Sequence, residues 1–110
     1  MTIDELFELM PGRFNSAAAS GLNKTIQWNI VDDETSIWAF RIVDGVGHLI
    51  PGGVETPDVT FVTSAKDWIA IAEGKLDSMK AFMSGKLKVS GDMMLAMKMP
   101  QFFPVGELQG

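Results

Sequence analysis

Apolar residues along this chain change their spacing several times, and each change marks an element. Ile3, Leu6, Phe7 and Met10 recur at helical spacing. Thr2 followed by Glu5 has the form of a capping box, in which each side chain reaches the other's backbone N–H. The spacing predicts a helix over 2–10 that Pro11-Gly12 ends or kinks. Phe14 and the small-residue run 16–20 predict a second short helix. Gly21 follows as the residue past its end, where only a side chain without Cβ takes the left-handed conformation cheaply. From Lys24 the period drops to two. Ile26, Trp28 and Ile30 share one face and Gln27 and Asn29 the other, and a second strand then points Trp38, Phe40 and Ile42 inward and Arg41 outward. Asp32-Asp33-Glu34 joins the two strands as an acidic turn that resists stacking on another sheet edge. Asp44-Gly45 is a hairpin signal leading into a short edge strand, 46–50, which Pro51-Gly52-Gly53 terminates.

The second half is denser. Residues 58–63 are β-branched and aromatic and predict a strand. Ser64 then serves as an N-cap with Asp67 at the third helical position, and Trp68, Ile71 and Ala72 give the helix one apolar face before Gly74 stops it. Asp77 repeats the device for a shorter helix whose Met79, Phe82 and Met83 share a face, closed by Gly85. Leu87 and Val89 alternate with Lys86, Lys88 and Ser90 in a last strand. In 93–99 only Lys98 is polar, so a helix there is apolar nearly all round until Pro100 stops it, a pattern that normally means burial on every side. A chain of 110 residues has little material to surround such a helix. The pattern therefore predicts that a bound apolar ligand, a partner chain or a membrane surface covers part of it. Pro100 and Pro104 bracket Phe102 and Phe103, limiting that pair to a short turn or an extended flap, a candidate lid. An antiparallel meander followed by helices favours an α+β fold over a doubly wound one.

Composition narrows this further. Residues 1–110 are expected to form a single domain, and an apolar content of 46% with 21% charged residues suits a globular protein. No apolar run approaches the ~18 residues needed to span a bilayer, and Asp4, Glu5 and Glu8 replace the basic start of a secretory signal. The absence of cysteine excludes thiolate chemistry and is compatible with a reducing cytoplasm, the expected location. A net charge of −5 disfavours nucleic acid as a partner. The charge is uneven, however: Lys75, Lys80, Lys86, Lys88 and Lys98 stand against Asp77 and Asp92 in 74–99, a net +3. Those lysines are either an ordinary solvated surface or a shallow basic rim for transient contact with an anionic membrane surface or a coenzyme A phosphate.

Catalytic chemistry finds little purchase. His48 is the single histidine, which rules out a two-histidine metal site, and it falls on an edge strand facing solvent. Ser64, Ser78, Ser84 and Ser90 lie beside caps and turns rather than in a nucleophile elbow. Gly74-Lys75-Leu76 and Gly85-Lys86-Leu87 lack the glycine spacing and the hydroxyl residue of a phosphate loop. Asp32, Asp33 and Glu34 lack the alternating oxygen ligands and closing Glu of a calcium loop. No metal or cofactor is expected.

The run from Ala81 to Met99, AFMSGKLKVSGDMMLAMKM, resembles the C-terminal signature of the sterol carrier protein 2, or non-specific lipid-transfer, family, and Asp58-Val59-Thr60-Phe61 and Gly74-Lys75-Leu76 fall at that family's upstream spacing. The close match covers about forty residues, and 1–57 fit in length and pattern. The resemblance implies an α+β domain with a five-stranded, mostly antiparallel sheet, helices over one face and an apolar tunnel between. The tunnel would hold a fatty acid, fatty acyl-CoA, sterol or phospholipid without catalysis. Phe82, Leu87, Met93 and Met97 match apolar core or tunnel positions. One departure is Met94, where familiar members often have glycine, so the cavity is expected to be narrower or differently shaped. The chain ends Leu108-Gln109-Gly110 rather than in the Ser-Lys-Leu-like address of peroxisomal members. Six of the eight methionines fall between Met79 and Met99, where flexible thioethers can repack around ligands of different shape or simply fill a core. The expected ligand-facing set is Trp28, Trp38, Phe40, Trp68, Ile71, Phe82, Leu87, Met93, Met94, Met97, Phe102 and Phe103. The alternative is an interaction module, a homodimer included, that assembles through the methionine-rich helix.

Overall fold

The computed structural model describes residues 2–32 and 35–103. Helix α1 (Ile3–Arg13) opens on the capping box: the Glu5 N–H donates to Thr2 Oγ1 at 3.2 Å and the Thr2 N–H to Glu5 Oε1 at 3.3 Å. A single 3-10 turn, Ser16–Ala19, follows, with Gly21 just beyond it at a φ of 73°. Three strands then form an antiparallel meander: β1 (Asn23–Val31), β2 (Thr35–Val43) and β3 (Val46–Pro51). Asp44 and Gly45 both have positive φ, as a two-residue hairpin matched to the strand twist requires. The chain crosses to the other side of β1 to lay down β4 (Val59–Thr63), parallel to β1, then α2 (Ala65–Ala72), α3 (Ser78–Met83) and β5 (Leu87–Gly91), antiparallel to β4. Helices α4 (Met93–Met97) and α5 (Met99–Phe102) end the described chain. The sheet order is β3-β2-β1-β4-β5, a five-stranded, mostly antiparallel α+β arrangement.

Register turns the alternation of the sequence into a core. Trp38, Trp28, Phe61 and Val89 stand opposite one another across β2, β1, β4 and β5, and Phe40, Ile26 and Val59 form the next row. Leu6, Phe7 and Met10 of α1 are buried among these rows. Phe7 stacks on Trp38 with ring centroids 4.8 Å apart and meets Trp28 edge-on at 5.4 Å. The opposite face mixes polar residues such as Thr25, Asn29 and Arg41 with the apolar Ile37, Ala39 and Val43. Gln27 is nonetheless buried there, because the crossover segment passes over it and the Val54 N–H donates to Gln27 Oε1 at 2.9 Å.

Two expectations need correction. Helix α1 does not end at Pro11 but continues to Arg13; the lost N–H costs one bond to Phe7, while packing of Leu6, Phe7 and Met10 holds the turns before it. Pro100 does not stop a helix but begins one. It occupies the first turn of α5, where its missing N–H has no partner to lose, and Lys98 serves both as C-cap of α4 and as N-cap of α5. The methionine-rich helix is left partly uncovered by the chain itself, as the shortage of material led us to expect. Leu95 and Met99 face inward, while Met93, Met94 and Met97 remain 45%, 72% and 70% exposed, because a helix of five residues lays a single face on β4 and β5 and nothing else is long enough to wrap it. Asp33, Glu34, Pro104 and the C-terminal tripeptide lie outside the described residues.

Two glycines with the same sign of φ separate conformational cost from steric cost. Gly85 (φ 83°) ends α3 in open space, whereas a Cβ on Gly91 (φ 100°) would collide with the carbonyl oxygen of Asp58. Gly85→Ala is expected to lose about 1 kcal/mol, the cost of a left-handed alanine. Gly91→Ala should lose about 3 kcal/mol or more, since backbone must also move. Urea unfolding midpoints of the two variants check the order.

Candidate functional site

One sheet half is sealed and the other is not. On the α1 side Phe7, Trp28, Phe40, Ile42 and Phe102 are completely buried. Over β4 and β5 the cover is three short helices, and between them and the sheet lies a cavity of about 310 Å³. Its floor is Phe61 of β4 with Leu87 and Val89 of β5. Trp68, Ile71 and Ala72 of α2 form one side, Leu6, Met10 and Arg13 of α1 another, and Met99, Pro100 and Phe103 close the end. Ser78, Met79 and Phe82 of α3 with Met93, Ala96 and Met97 of α4 frame the mouth. Met79 and Phe82 are 55% and 42% exposed, so they face the cavity on one side and the surroundings on the other.

Side-chain caps position the three helices over β4 and β5. The Asp67 N–H donates to Ser64 Oγ at 3.1 Å, and Asp32 adds its carboxylate to the same end of α2 by accepting from the Ala65 N–H at 3.2 Å. Asp77 accepts from the Lys80 N–H at 3.1 Å and Asp92 from the Leu95 N–H at 3.1 Å. Asp92 also ties α4 to the sheet. Its Oδ2 lies 3.6 Å from Lys24 Nζ, which is 3.9 Å from Asp58, and its backbone N–H donates to the Asp58 carbonyl at 2.8 Å. The Leu95 N–H, helped by Lys24, holds the Asp92 carboxyl below the usual carboxylate range.

The wall is almost wholly hydrocarbon and thioether. Trp68 contributes only ring carbons, because its indole N–H is buried within the wall without a hydrogen-bond partner among the described residues. Arg13 is the one charged side chain among the described lining residues, and Ser78 supplies a hydroxyl. No group of three potential metal-ligating side chains exists among the described residues. His48 is exposed on β3, opposite Arg41, and is not part of the lining.

Of the residues expected to face a ligand, the structure brings Trp68, Ile71, Phe82, Leu87, Met93, Met97 and Phe103 to the cavity. Trp28 and Phe40 lie in the sealed half, and Trp38 is stacked under Phe7; bulk alone did not distinguish core from cavity wall. Met94 points away from the lining into the surroundings, so its bulk does not narrow the space as expected. Phe102 is no lid. It is fully buried, and its carbonyl accepts the Asn15 N–H at 2.8 Å, which pins α5 to the end of α1. Sequence reasoning missed Leu6, Met10, Arg13, Phe61, Ala72, Ser78, Met79, Val89, Ala96, Met99 and Pro100 as lining residues. The spacing of Leu6, Met10, Met79 and Val89 marked apolar faces, and an apolar face looks the same in sequence whether it meets side chains or a void; Arg13 stood in no pattern that could have found it.

The lysines separate too. Lys75 pairs with Glu73 at 3.5 Å, and Lys88 alternates with the lining residues Leu87 and Val89 and so leaves by the other face of the sheet. Lys80, Lys86 and Lys98 remain exposed beside α3 and α4, without an ion pair among the described residues.

Comparison with known proteins gives consistent matches. A family model described as the SCP-2 sterol transfer family matches residues 3–104. Peroxisomal multifunctional enzyme A of Dictyostelium discoideum is 42% identical over 66 residues, 59% of this chain but only 15% of that protein's length. Among solved structures, palmitated SCP2L2 from Aedes aegypti superposes with a TM-score of 0.74 at 25% identity, covering 92% of this chain and 93% of its own. A stereoselective inverting sec-alkylsulfatase from Pseudomonas sp. gives 0.80 at 26% identity, covering 94% of this chain and 16% of its own.

The Asp92 cap makes the mouth sensitive to acid. Because folding lowers its pKa, the carboxylate stabilises the fold above the unfolded value and stops doing so as pH falls through the folded one. Asp92→Ala is therefore expected to melt below the parent at neutral pH, with the gap closing below about pH 4. Thermal melts of both proteins across that range measure the convergence.

Proposed function

This chain belongs to the SCP-2 sterol transfer family, and from that premise we propose that it is a non-catalytic carrier of single-chain lipids, holding the acyl chain in the cavity between β4–β5 and α2–α4. The observation that carries the reading is the cavity itself, a 310 Å³ space with hydrocarbon and thioether on nearly every side. Water in such a space gives up hydrogen bonds, and an acyl chain does not. Burying an acyl chain contributes roughly 0.8 kcal/mol per methylene, on the order of 10 kcal/mol for sixteen carbons. Loss of translational freedom and ordering of the chain offset about 4 to 15 kcal/mol of that. The balance is reversible binding, which transfer requires.

The palmitated state of the Aedes aegypti structure supports a fatty acid as the ligand. Methionine around the mouth supports tolerance of chain length, since a thioether repacks at little cost and one methylene discriminates weakly in an apolar pocket. The Dictyostelium relative, of whose length the match covers 15%, is named as a multifunctional enzyme. For this chain the described lining residues offer a serine and an arginine with no histidine, cysteine or carboxylate, so we assign the cavity to holding a ligand rather than transforming it. A cysteine-free chain suits the reducing cytoplasm as the place where it works.

Titration with a fluorescent fatty acid tests the proposal. One ligand per chain is the expected stoichiometry. Val89→Phe, which fills the cavity floor, should weaken uptake at least tenfold while far-ultraviolet circular dichroism stays unchanged. Failure of the parent protein to take up any acyl chain would overturn the reading.

A further inference from the structure

We infer that Met79, Met93 and Met97, at the mouth of the cavity, are sites of reversible oxidation, and that turning their thioethers into sulfoxides shuts the cavity to acyl chains. The inference rests on the carrier reading above and adds its regulation. The methionines around the space fall into three groups. Met79, Met93 and Met97 line it and are also 55%, 45% and 70% exposed. Met10 and Met99 line it but are buried, and Met83 and Met94 are exposed but stand outside the lining. An oxidant in solution therefore reaches the first and third groups and not the second. The chain has no cysteine, which leaves these five exposed thioethers as the softest nucleophiles that a peroxide meets among the described residues.

The step is a transfer of one oxygen atom. A sulfur lone pair attacks an oxygen of hydrogen peroxide, the O–O bond breaks, and the products are a sulfoxide and water, the sulfur oxidised and the peroxide reduced. Return needs two thiols of a separate reductase, which take the oxygen off as water and become a disulfide, since this chain holds no thiol of its own. What changes is the mouth. A thioether packs against hydrocarbon, whereas a sulfoxide carries a strong acceptor that needs a hydrogen bond. The wall supplies little to meet it: Ser78 and Arg13 are the polar side chains of the described lining, and the Trp68 N–H is turned into the wall. An oxidised mouth residue therefore either stays against the acyl chain without a partner or swings out to water and takes part of the wall with it. Both weaken binding. At Met83 and Met94 the added oxygen stays in water and leaves the ligand untouched, so the effect belongs to position and not to methionine as such. The frame itself survives, because Asp77 and Asp92 hold the first turns of α3 and α4 through backbone N–H groups that a sulfoxide does not reach. A bound acyl chain acts in reverse. It covers the cavity side of Met79, Met93 and Met97 and slows their oxidation alone.

The test treats the whole protein with dilute hydrogen peroxide, locates each added oxygen by peptide mass spectrometry and titrates the product with a fluorescent fatty acid. Met79, Met83, Met93, Met94 and Met97 should oxidise ahead of Met10 and Met99, with far-ultraviolet circular dichroism unchanged. Uptake should weaken about tenfold or more, the order of loss set by one polar group buried without a partner. Methionine sulfoxide reductase with dithiothreitol should restore it. Loading with palmitic acid beforehand should protect Met79, Met93 and Met97 but not Met83 or Met94. The double variant Met83→Leu with Met94→Leu should lose uptake on treatment as the parent does. In the triple variant Met79→Leu, Met93→Leu, Met97→Leu, treatment should leave the affinity where it was, whatever its starting value. An oxidised parent that binds as tightly as before, a loss that comes with unfolding, or a loss that persists in the triple variant would overturn the inference. An untreated parent that takes up no fatty acid refutes the carrier reading; one whose uptake survives oxidation of all three mouth methionines refutes the switch alone.

Discussion

A five-stranded sheet presents more inner face than the helices of this chain can cover, and that shortage governs the rest of the molecule. Helix α1, with eleven residues, seals the inner face near β1–β3, where Phe7, Trp28, Phe40 and Ile42 lose all contact with solvent. What remains for β4 and β5 is α2 with eight residues, α3 with six and α4 with five. Such pieces cannot close over a sheet edge by packing alone, since each is little more than one or two turns and presents one narrow face. The apolar inner face of β5, with Leu87 and Val89, is therefore walled without being filled. A cavity and an exposed apolar rim are two aspects of the same shortage.

Short helices also need help to exist, because nucleating a turn costs more than a few hydrogen bonds return. The chain supplies it at their ends. Ser64 with Asp32, then Asp77 and Asp92, each accept an N–H at the start of α2, α3 and α4. Lys24 joins Asp58 and Asp92, so the first turn of α4 is anchored to the beginning of β1 and of β4. The polar atoms hold the frame of the mouth, and the methionines between the anchors are left free to move. A frame fixed at its ends and lined by adaptable side chains suits ligands of variable length.

Local chemistry was legible in the sequence wherever a single residue type decides a conformation. Thr2 with Glu5, Ser64, Asp77, Gly74 and Gly85 stand where caps and stops were expected, and Asp44-Gly45 makes the hairpin. The alternations of β1, β2 and β5 gave their inner faces correctly, and the family signature carried the architecture. Distinguishing wall from core was beyond it. Trp28 and Trp68 have the same residue type and similar neighbours, touch at 5.6 Å, and yet only Trp68 reaches the cavity. That difference depends on how far α1 and α2 extend over the sheet, a property of lengths and angles that no spacing encodes. Pro100 misled for a similar reason. Proline ends one helix and begins another by the same loss of an N–H, and the four residues of α5 after Lys98 are too few to show a period.

The central claim is that an apolar chain occupies the space walled by β4, β5 and the short helices. The most direct measurement is the set of nuclear Overhauser contacts between isotope-labelled palmitic acid and the side-chain methyl groups of the folded protein. The account predicts contacts from the acyl chain to Ile71, Leu87, Val89, Met93 and Met97, and none to Ile37 or Val43 on the opposite face of the sheet. An acyl chain that contacts surface methyls on both faces alike, or none of the cavity residues, would contradict it.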